Sequence, residues 1–264
     1  MKIRLPILLA KLTAAVVSIL IPLSTVAQPP SGRQWKVLPE LTDEFEGNEL
    51  DSQKWWPNNP TWVGRSPGWF SVHNVSVGDG KLHLTCTKGR PEDCTADDYF
   101  TYGSAAVKSK YVVKYGYFEI KCRSMKAYSS SAFWFYRNQD TVWTEIDVFE
   151  LGGSSPLNGG QGDKYNMTVH VHAPQDNAVH DHEDVRLGFE HYEDFHVYAL
   201  EWRKDSLLWY VDGEVVRSRE NTGWHHPLHM NFDSEIMMGW FGLPLDEDLP
   251  STYSIEYVRS WREE

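Results

Sequence analysis

From residue 70 onward, apolar and polar residues alternate with a period of two over most of the chain. The alternation is clearest in four segments, 81–84, 117–122, 166–171 and 253–261. Successive side chains of a β-strand point to opposite faces, so this pattern predicts strands with one buried and one solvated face. No segment keeps an apolar stripe of helical period beyond about two turns. The chain is therefore predicted to be all-β.

Short turn signals separate these strands. The residues 78–80 read Gly-Asp-Gly, and the pair Asp212-Gly213 lies between two apolar runs and predicts a hairpin. Many short strands joined by short turns favour a β-sandwich of the jelly-roll kind. The sequence contains no repeat, low-complexity tract or linker, so one domain from about residue 34 to 264 is the economical interpretation.

The composition limits the classes of function. A formal net charge of −12 argues against a nucleic-acid partner, because phosphates would require a basic surface. The chain carries 12 Trp, 13 Tyr and 11 Phe, which is enough for a large core. Aromatic rings also form flat platforms for the apolar faces of sugars, so the composition favours a carbohydrate partner.

Residues 1–27 have the pattern of a targeting signal. Lys2 and Arg4 precede an apolar stretch, and the small residues at 24–27 provide a cleavage site. Lys11 interrupts the stretch, which favours a cleaved export peptide over a membrane span. We therefore expect an exported protein, periplasmic or extracellular, with no membrane span after cleavage.

Export implies an oxidising compartment in which cysteines can pair. Cys86 ends the strand-like segment 81–87, and Cys94 lies in the polar loop 89–98. A loop-closing Cys86–Cys94 disulfide and three free thiols are both compatible with this spacing. Cys122 alternates in phase with apolar neighbours and is predicted to be a buried thiol.

The segment 143–150 carries three acids, Glu145, Asp147 and Glu150, and the residues between them are mostly apolar. This pattern indicates a strand packed on a core, with Glu145 and Asp147 pointing together to the opposite face. Strict alternation would turn Glu150 toward the core. One extra residue, a β-bulge at 148–149, returns Glu150 to the side of the other two acids.

Three neighbouring carboxyl groups repel one another, which raises the pKa of at least one of them. A retaining glycosidase uses such a set, because one carboxylate attacks the anomeric carbon while a second, protonated carboxyl donates to the leaving oxygen. Two other interpretations are a solvated strand face and a calcium site. The apolar strand argues against the first, and the preference of calcium for loop-borne ligands argues against the second.

The chain resembles bacterial glycoside hydrolase family 16, whose bulged signature Glu-x-Asp-x-x-Glu matches residues 145–150. Further likeness lies in the family's opening and in its later strands, at residues 43–45, 115–119, 198–202 and 209–213. The resemblance implies a jelly roll with an open concave cleft. It also implies that Glu145 is the nucleophile, Asp147 an assisting acid and Glu150 the general acid/base.

No cofactor is implied for the chemistry. A structural calcium occurs in relatives, and acids of this chain such as Asp43 offer ligands. We expect a polysaccharide as the partner, and we expect the protein to be a monomer.

Within the family, residues 62–70 and 231–244 resemble the agarase and porphyranase branch, which cuts red-algal galactans. Porphyran carries 6-sulfated galactose where agarose carries a neutral anhydrogalactose. A sulfate ester calls for local cations, and guanidinium groups suit it best. Arg65 and Arg137, each near a tryptophan in sequence, are the candidates.

The resemblance therefore implies an endo-acting retaining hydrolase that cleaves β-1,4 linkages of porphyran. The close alternative is a β-agarase that acts on unsulfated agarose. A non-catalytic, lectin-like carbohydrate-binding module is the alternative from another class, although it would have no use for the aligned acids.

Eight further residues are predicted to contact the substrate. Tryptophans are expected as stacking platforms, with the core as their alternative location, and His170 and His172 share one face of the strand 166–172. Other histidines, including His180 and His182, are interpreted as loop residues. The predicted substrate-binding set is Trp62, Arg65, Trp69, Trp134, Arg137, His170, His172 and Glu235.

Overall fold

The computed structural model describes residues 29–99, 101–139 and 141–264. The predicted targeting segment 1–27 lies outside these residues. Within the described part of the chain, no helix is long and apolar enough to cross a membrane. Helical structure there is limited to single 3₁₀ turns at Pro39–Leu41, Val72–Asn74, Leu157–Gly159, Gln175–Asn177 and Asp246–Asp248.

The strands follow one another with short connections, as the alternation predicted. In chain order they are β1 (Trp35–Val37), β2 (Trp55–Trp56), β3 (Gly68–Phe70), β4 (Val75–Gly78), β5 (Lys81–Lys88), β6 (Tyr102–Ser104), β7 (Ala106–Val113), β8 (Gly116–Arg123), β9 (Ser131–Gln139), β10 (Val142–Leu151), β11 (Lys164–Ala173), β12 (Val179–Arg186), β13 (His196–Trp202), β14 (Ser206–Val211), β15 (Glu214–Glu220), β16 (Leu228–Asp233) and β17 (Ser251–Glu263).

The strands of the described residues form two sheets. A ten-stranded back sheet has the order β15-β14-β13-β8-β17-β5-β6-β3, with β1 added to β17 and β4 to β5. A seven-stranded front sheet has the order β12-β11-β10-β9-β16-β7-β2. Strand pairs are antiparallel, apart from the parallel pair β3 and β6. The predicted all-β sandwich is confirmed.

Large aromatic side chains fill the space between the sheets. Phe135 of the front sheet contacts Phe118 of the back sheet at a ring-centroid distance of 4.8 Å, and Phe149 contacts Tyr198 at 4.9 Å. All four side chains are fully buried. Burial of each such side chain contributes roughly 1.5–3 kcal/mol. Because this core holds the inner face of the front sheet, the polar residues of β9, β10 and β11 are left on its outer face.

The three cysteines are free and buried, so the disulfide alternative between Cys86 and Cys94 is wrong. Cys86 points from β5 into the main core. Cys94 lies outside that core, and its thiol donates to the backbone oxygen of Tyr99 at 3.0 Å. The two thiols therefore lie in separate environments. Cys122 is a buried thiol, as predicted.

Candidate active site

The β-bulge predicted for the acidic segment is present in β10. On β9, the partners of Asp147 and Phe149 are consecutive residues, so Val148 is the extra residue. The register to β11 also shifts between Asp147 and Glu150. Val148 and Phe149 are both fully buried, and Glu150 lines the cleft with the other acids. The predicted phase slip is confirmed.

Two buried tryptophans hold the backbone of this strand from the core side. Trp209 Nε1 donates to the Asp147 carbonyl at 3.3 Å. Trp224 Nε1 donates to the carbonyls of Glu145 at 2.8 Å and His170 at 2.9 Å. These bonds satisfy carbonyl groups at the acidic segment and fix its position. The role of these two tryptophans was not predicted, because nothing in the sequence pattern places them behind β10.

A cleft of about 1080 Å³ runs over the outer face of the front sheet. The structure brings together all three predicted catalytic acids and six of the eight predicted substrate-binding residues. The predicted residues that line the cleft are Trp62, Arg65, Trp134, Glu145, Asp147, Glu150, His170, His172 and Glu235.

The structure does not bring Trp69 and Arg137 to the cleft. Trp69 is buried, and its ring packs edge-on against Tyr99 at 5.6 Å, so it supports a residue of the cleft wall. Arg137 alternates on β9 with Tyr136, which lines the cleft, and it therefore belongs to the opposite face. The prediction for Arg137 rested on its nearness to Trp134 in sequence, and this nearness does not determine which face of β9 a side chain lies on.

Several cleft residues were missed by sequence analysis. Asp233, Tyr136 and Trp240 line the cleft, and so do His180 and His182. The interpretation of the two histidines as loop residues is wrong, because both lie on β12. Alternation in the segment 179–186 was the available signal, but its many polar residues masked it.

Arg65 and Glu235 form an ion pair at the cleft wall. Arg65 Nε donates to Glu235 Oε1, with the arginine side chain 58% exposed and the glutamate 3% exposed. Gly64, just before Arg65, has φ +104°, and a Cβ there would lie 3.0 Å from the backbone oxygen of Gly68. Glycine is therefore required for the loop that presents Arg65. Among the described residues that line the cleft, Arg65 is the only lysine or arginine.

Two histidines of β11 face the first acid. His170 Nε2 lies 3.8 Å from Glu145 Oε1 and 3.6 Å from Asp147 Oδ2. His172 Nε2 lies 3.6 Å from Glu145 Oε2, and the two imidazole rings stack at 4.8 Å. Burial lowers the pKa of His170 to about 4. His170 is therefore neutral at neutral pH.

Five carboxyl groups converge on the cleft, and burial and mutual repulsion raise the pKa of four of them. Burial is the larger cause for Asp147 and Glu150; the next is the charge of Glu145 for Asp147 and that of Glu235 for Glu150. Burial raises the pKa of Asp233 to about 7; it also raises the pKa of Glu235, an effect that the paired guanidinium of Arg65 opposes. A carboxyl whose pKa is raised in this way keeps its proton toward neutral pH, as a general acid requires.

Asp43, the acid that the resemblance offered to a structural calcium, is surrounded by donors. Its Oδ1 accepts from the backbone N–H of Phe45 at 2.9 Å, and its Oδ2 accepts from Trp55 Nε1 at 2.8 Å. Lys54 Nζ lies 3.9 Å from Oδ2. This carboxylate is thus a structural hydrogen-bond acceptor, and the calcium stays a prediction without assigned ligands.

The family model that matches the chain and the relatives that are similar to it in sequence point to the same protein family. The family model described as "Beta-porphyranase A-D, GH16 domain" matches residues 35–263. β-Porphyranase B of Zobellia galactanivorans is 29% identical over 260 residues, which cover 87% of this chain and 85% of that protein. β-Porphyranase D of the same organism is 30% identical over 266 residues, which cover 89% of this chain and 62% of that protein.

The structural comparison agrees. The crystal structure of porphyranase B from Zobellia galactanivorans matches with a TM-score of 0.79 at 26% identity, covering 91% of this chain and 97% of that one. The match to the family model spans both sheets and the bulged acidic strand. The chain therefore belongs to glycoside hydrolase family 16, within the group of β-porphyranase A–D catalytic domains.

Proposed function

We propose that this glycoside hydrolase is an endo-acting, retaining enzyme that cleaves β-1,4 linkages of porphyran. The observation that carries the proposal is the alignment of Glu145, Asp147 and Glu150 by the bulge, in a cleft whose wall presents Arg65. A cleft of about 1080 Å³ has room for more than one sugar unit, which suits binding of a polymer and internal cleavage. A lectin-like module would gain nothing from carboxyl groups that repel one another.

In the proposed reaction, the carboxylate of Glu145 attacks the anomeric carbon and forms a covalent glycosyl-enzyme. Glu150 donates its proton to the glycosidic oxygen as the bond to the leaving sugar breaks. A water molecule then attacks the same carbon, gives its proton to Glu150 and releases Glu145. Two displacements at one carbon return the original anomeric configuration.

Asp147 lies between these two acids and is almost fully buried, at 3% exposure. Its pKa is raised by burial and by the charge of Glu145, so it holds a proton that it can donate to Glu145. Such a hydrogen bond would orient the nucleophile. It would weaken as the negative charge of Glu145 is used up in the new bond, and it would strengthen again as Glu145 leaves as a carboxylate in the second displacement.

The choice of porphyran over agarose rests on Arg65. Its side chain is more than half exposed and lines the cleft together with Trp62, so the nitrogens not bound to Glu235 can donate to a sulfate ester on a stacked galactose. One observation favours the β-agarase alternative. Arg65 is already paired with Glu235, and no other lysine or arginine is among the described residues that line the cleft, which favours an uncharged chain.

Substitution Arg65→Ala is expected to lower kcat/KM on porphyran by about 10- to 100-fold, the cost of a lost charge-assisted hydrogen bond. On agarose the loss should be several-fold smaller, because no sulfate is present and only the loss of the Arg65 charge beside Glu235 and Glu150 acts there. Reducing-sugar assays on both purified galactans, with wild type and variant side by side, give the four rates.

Arg137→Ala is the matched control, since it removes the same charge outside the cleft, and it should leave both rates unchanged. Equal losses on the two galactans in Arg65→Ala would show that Arg65 does not read sulfate. A wild-type enzyme that prefers agarose would establish the alternative.

The pH dependence of kcat/KM should report the general acid Glu150. Glu235 raises the pKa of Glu150, and Arg65 lowers it. Substitution Glu235→Gln removes the charge that raises the pKa of Glu150. It also leaves the positive charge of Arg65 uncompensated, and each of these two changes lowers the pKa of Glu150. We expect the alkaline limb of the profile to move to lower pH, on the order of one pH unit.

Glu220→Gln, an exposed residue of the back sheet, serves as the control and should keep the wild-type profile. An alkaline limb that stays in place in Glu235→Gln, or that moves upward, would exclude this coupling.

A further inference from the structure

Glu145, Asp147 and His170 each direct one donor atom toward a common point in the cleft. These three atoms all lie within 4.8 Å of one another. His170 Nε2 is 3.6 Å from Asp147 Oδ2 and 3.8 Å from Glu145 Oε1. Tetrahedral Zn²⁺, with bonds of about 2.0–2.2 Å, places its ligands about 3.3–3.6 Å apart. Both distances from His170 Nε2 are within about 0.5 Å of this spacing, and the third pair, Glu145 and Asp147, lies within 4.8 Å.

A second, independent feature concerns Asp147. Its Oδ2 atom is buried and has no hydrogen-bond partner in the described part of the chain. Buried polar atoms without partners are rare and call for a ligand, an ion or a proton. This is the oxygen that faces His170 Nε2.

A neighbouring histidine fixes the orientation of the His170 ring, as expected for a residue that coordinates a metal ion. On the far side of its ring, Nδ1 lies 3.1 Å from Nδ1 of His180, so one of these two nitrogens donates to the other. When His170 is the donor, its Nε2 presents a lone pair to the acids, as in many metal-bound histidines. His172 Nε2 lies 3.6 Å from the second oxygen of Glu145.

We propose that Glu145, Asp147 and His170 form a reversible binding site for one transition-metal ion of the Zn²⁺ type, whose occupancy blocks the nucleophile. The mixed set of oxygen and nitrogen donors suits Zn²⁺, whereas Ca²⁺ prefers six to eight oxygens. The metal takes the place of the proton that Asp147 holds beside Glu145, and this proton is released to solvent. A metal bound to Glu145 occupies the lone pair that attacks the anomeric carbon. The inhibition rests on the proposed function, but the binding of metal does not.

Equilibrium dialysis of the tag-free protein against ZnCl₂ in a non-chelating buffer tests the site without substrate. We expect one tightly bound Zn²⁺ per chain, a Zn²⁺-dependent rise in Tm, and removal of both by EDTA. His170→Gln and Asp147→Asn should each weaken Zn²⁺ binding by at least about tenfold. His73→Gln, which changes an exposed histidine far from the front sheet in sequence and topology, should bind as the wild type does.

Failure of the wild type to bind Zn²⁺, or equal affinity in all four proteins, would overturn the site. If one variant does not fold, as judged by circular dichroism, the other carries the comparison. Hydrolysis that persists when Zn²⁺ saturates the site would overturn the blocking role. Zn²⁺ binding by a protein that cleaves no galactan would instead contradict the proposed function while leaving the metal site intact.

Discussion

Glu145→Gln is expected to abolish galactan hydrolysis while leaving the Kd for a galactan oligosaccharide within a few-fold of its original value. Glutamine keeps the size of the side chain and its oxygen near His172, but it cannot form the glycosyl-enzyme. Loss of a covalent nucleophile lowers kcat by on the order of 10⁴-fold or more. Calorimetric titration and a reducing-sugar assay on the same preparation separate binding from catalysis.

The control is Glu193→Gln, an exposed glutamate in the loop before β13, which should retain full activity. Proton NMR of wild-type products, recorded before the anomers equilibrate, should show the β-anomer first, because two displacements retain configuration. An α-anomer would exclude double displacement. Unimpaired hydrolysis by Glu145→Gln would remove Glu145 from the nucleophile role, and binding without hydrolysis by the wild type would establish the lectin alternative.

The bulge in β10 could be predicted because two local rules conflict within one short segment. Apolar residues must face the core, and Val148 and Phe149 are adjacent, so a strand that buries both must slip by one residue. The same slip turns Glu150 outward. The face on which each acid lies depends only on the residues next to it along one strand. For this reason it could be predicted from the sequence.

Other parts of the site depend on contacts between distant segments. The pairing of Arg65 with Glu235 joins a loop before β3 to the segment after β16, and no periodicity predicts it. The role of Trp209 depends on the opposite sheet. Arg137 was assigned from its distance in sequence to Trp134, although an odd separation on a strand places two side chains on opposite faces. That correction was available from the sequence.

The histidines of β12 show a different difficulty. β12 is the edge strand of the front sheet, and most of its residues are at least partly exposed. Such a strand lacks the apolar face that makes alternation visible. His180 contacts His170, so an edge strand with no clear pattern shapes the surroundings of the catalytic acids.

The loss of activity caused by Glu150→Ala should depend on the leaving group of the substrate. Galactan hydrolysis is expected to fall by about 10²- to 10⁴-fold, because the departing sugar oxygen no longer receives a proton. An aryl glycoside with an acidic phenol needs no such proton and should still form the glycosyl-enzyme rapidly. Its turnover should then be limited by the second displacement, in which Glu150 no longer activates water.

Azide tests this second displacement directly, since it attacks the glycosyl-enzyme without a general base. We expect azide to accelerate turnover of the aryl glycoside by Glu150→Ala and to yield a β-glycosyl azide, identified by NMR. Glu145→Ala is the matched comparison, and it should show no burst of phenol and no β-azide. The raised pKa of Glu150 agrees with this assignment, because the group must begin the cycle protonated. Equal losses on galactan and aryl glycoside in Glu150→Ala, without response to azide, would rule out Glu150 as the general acid/base.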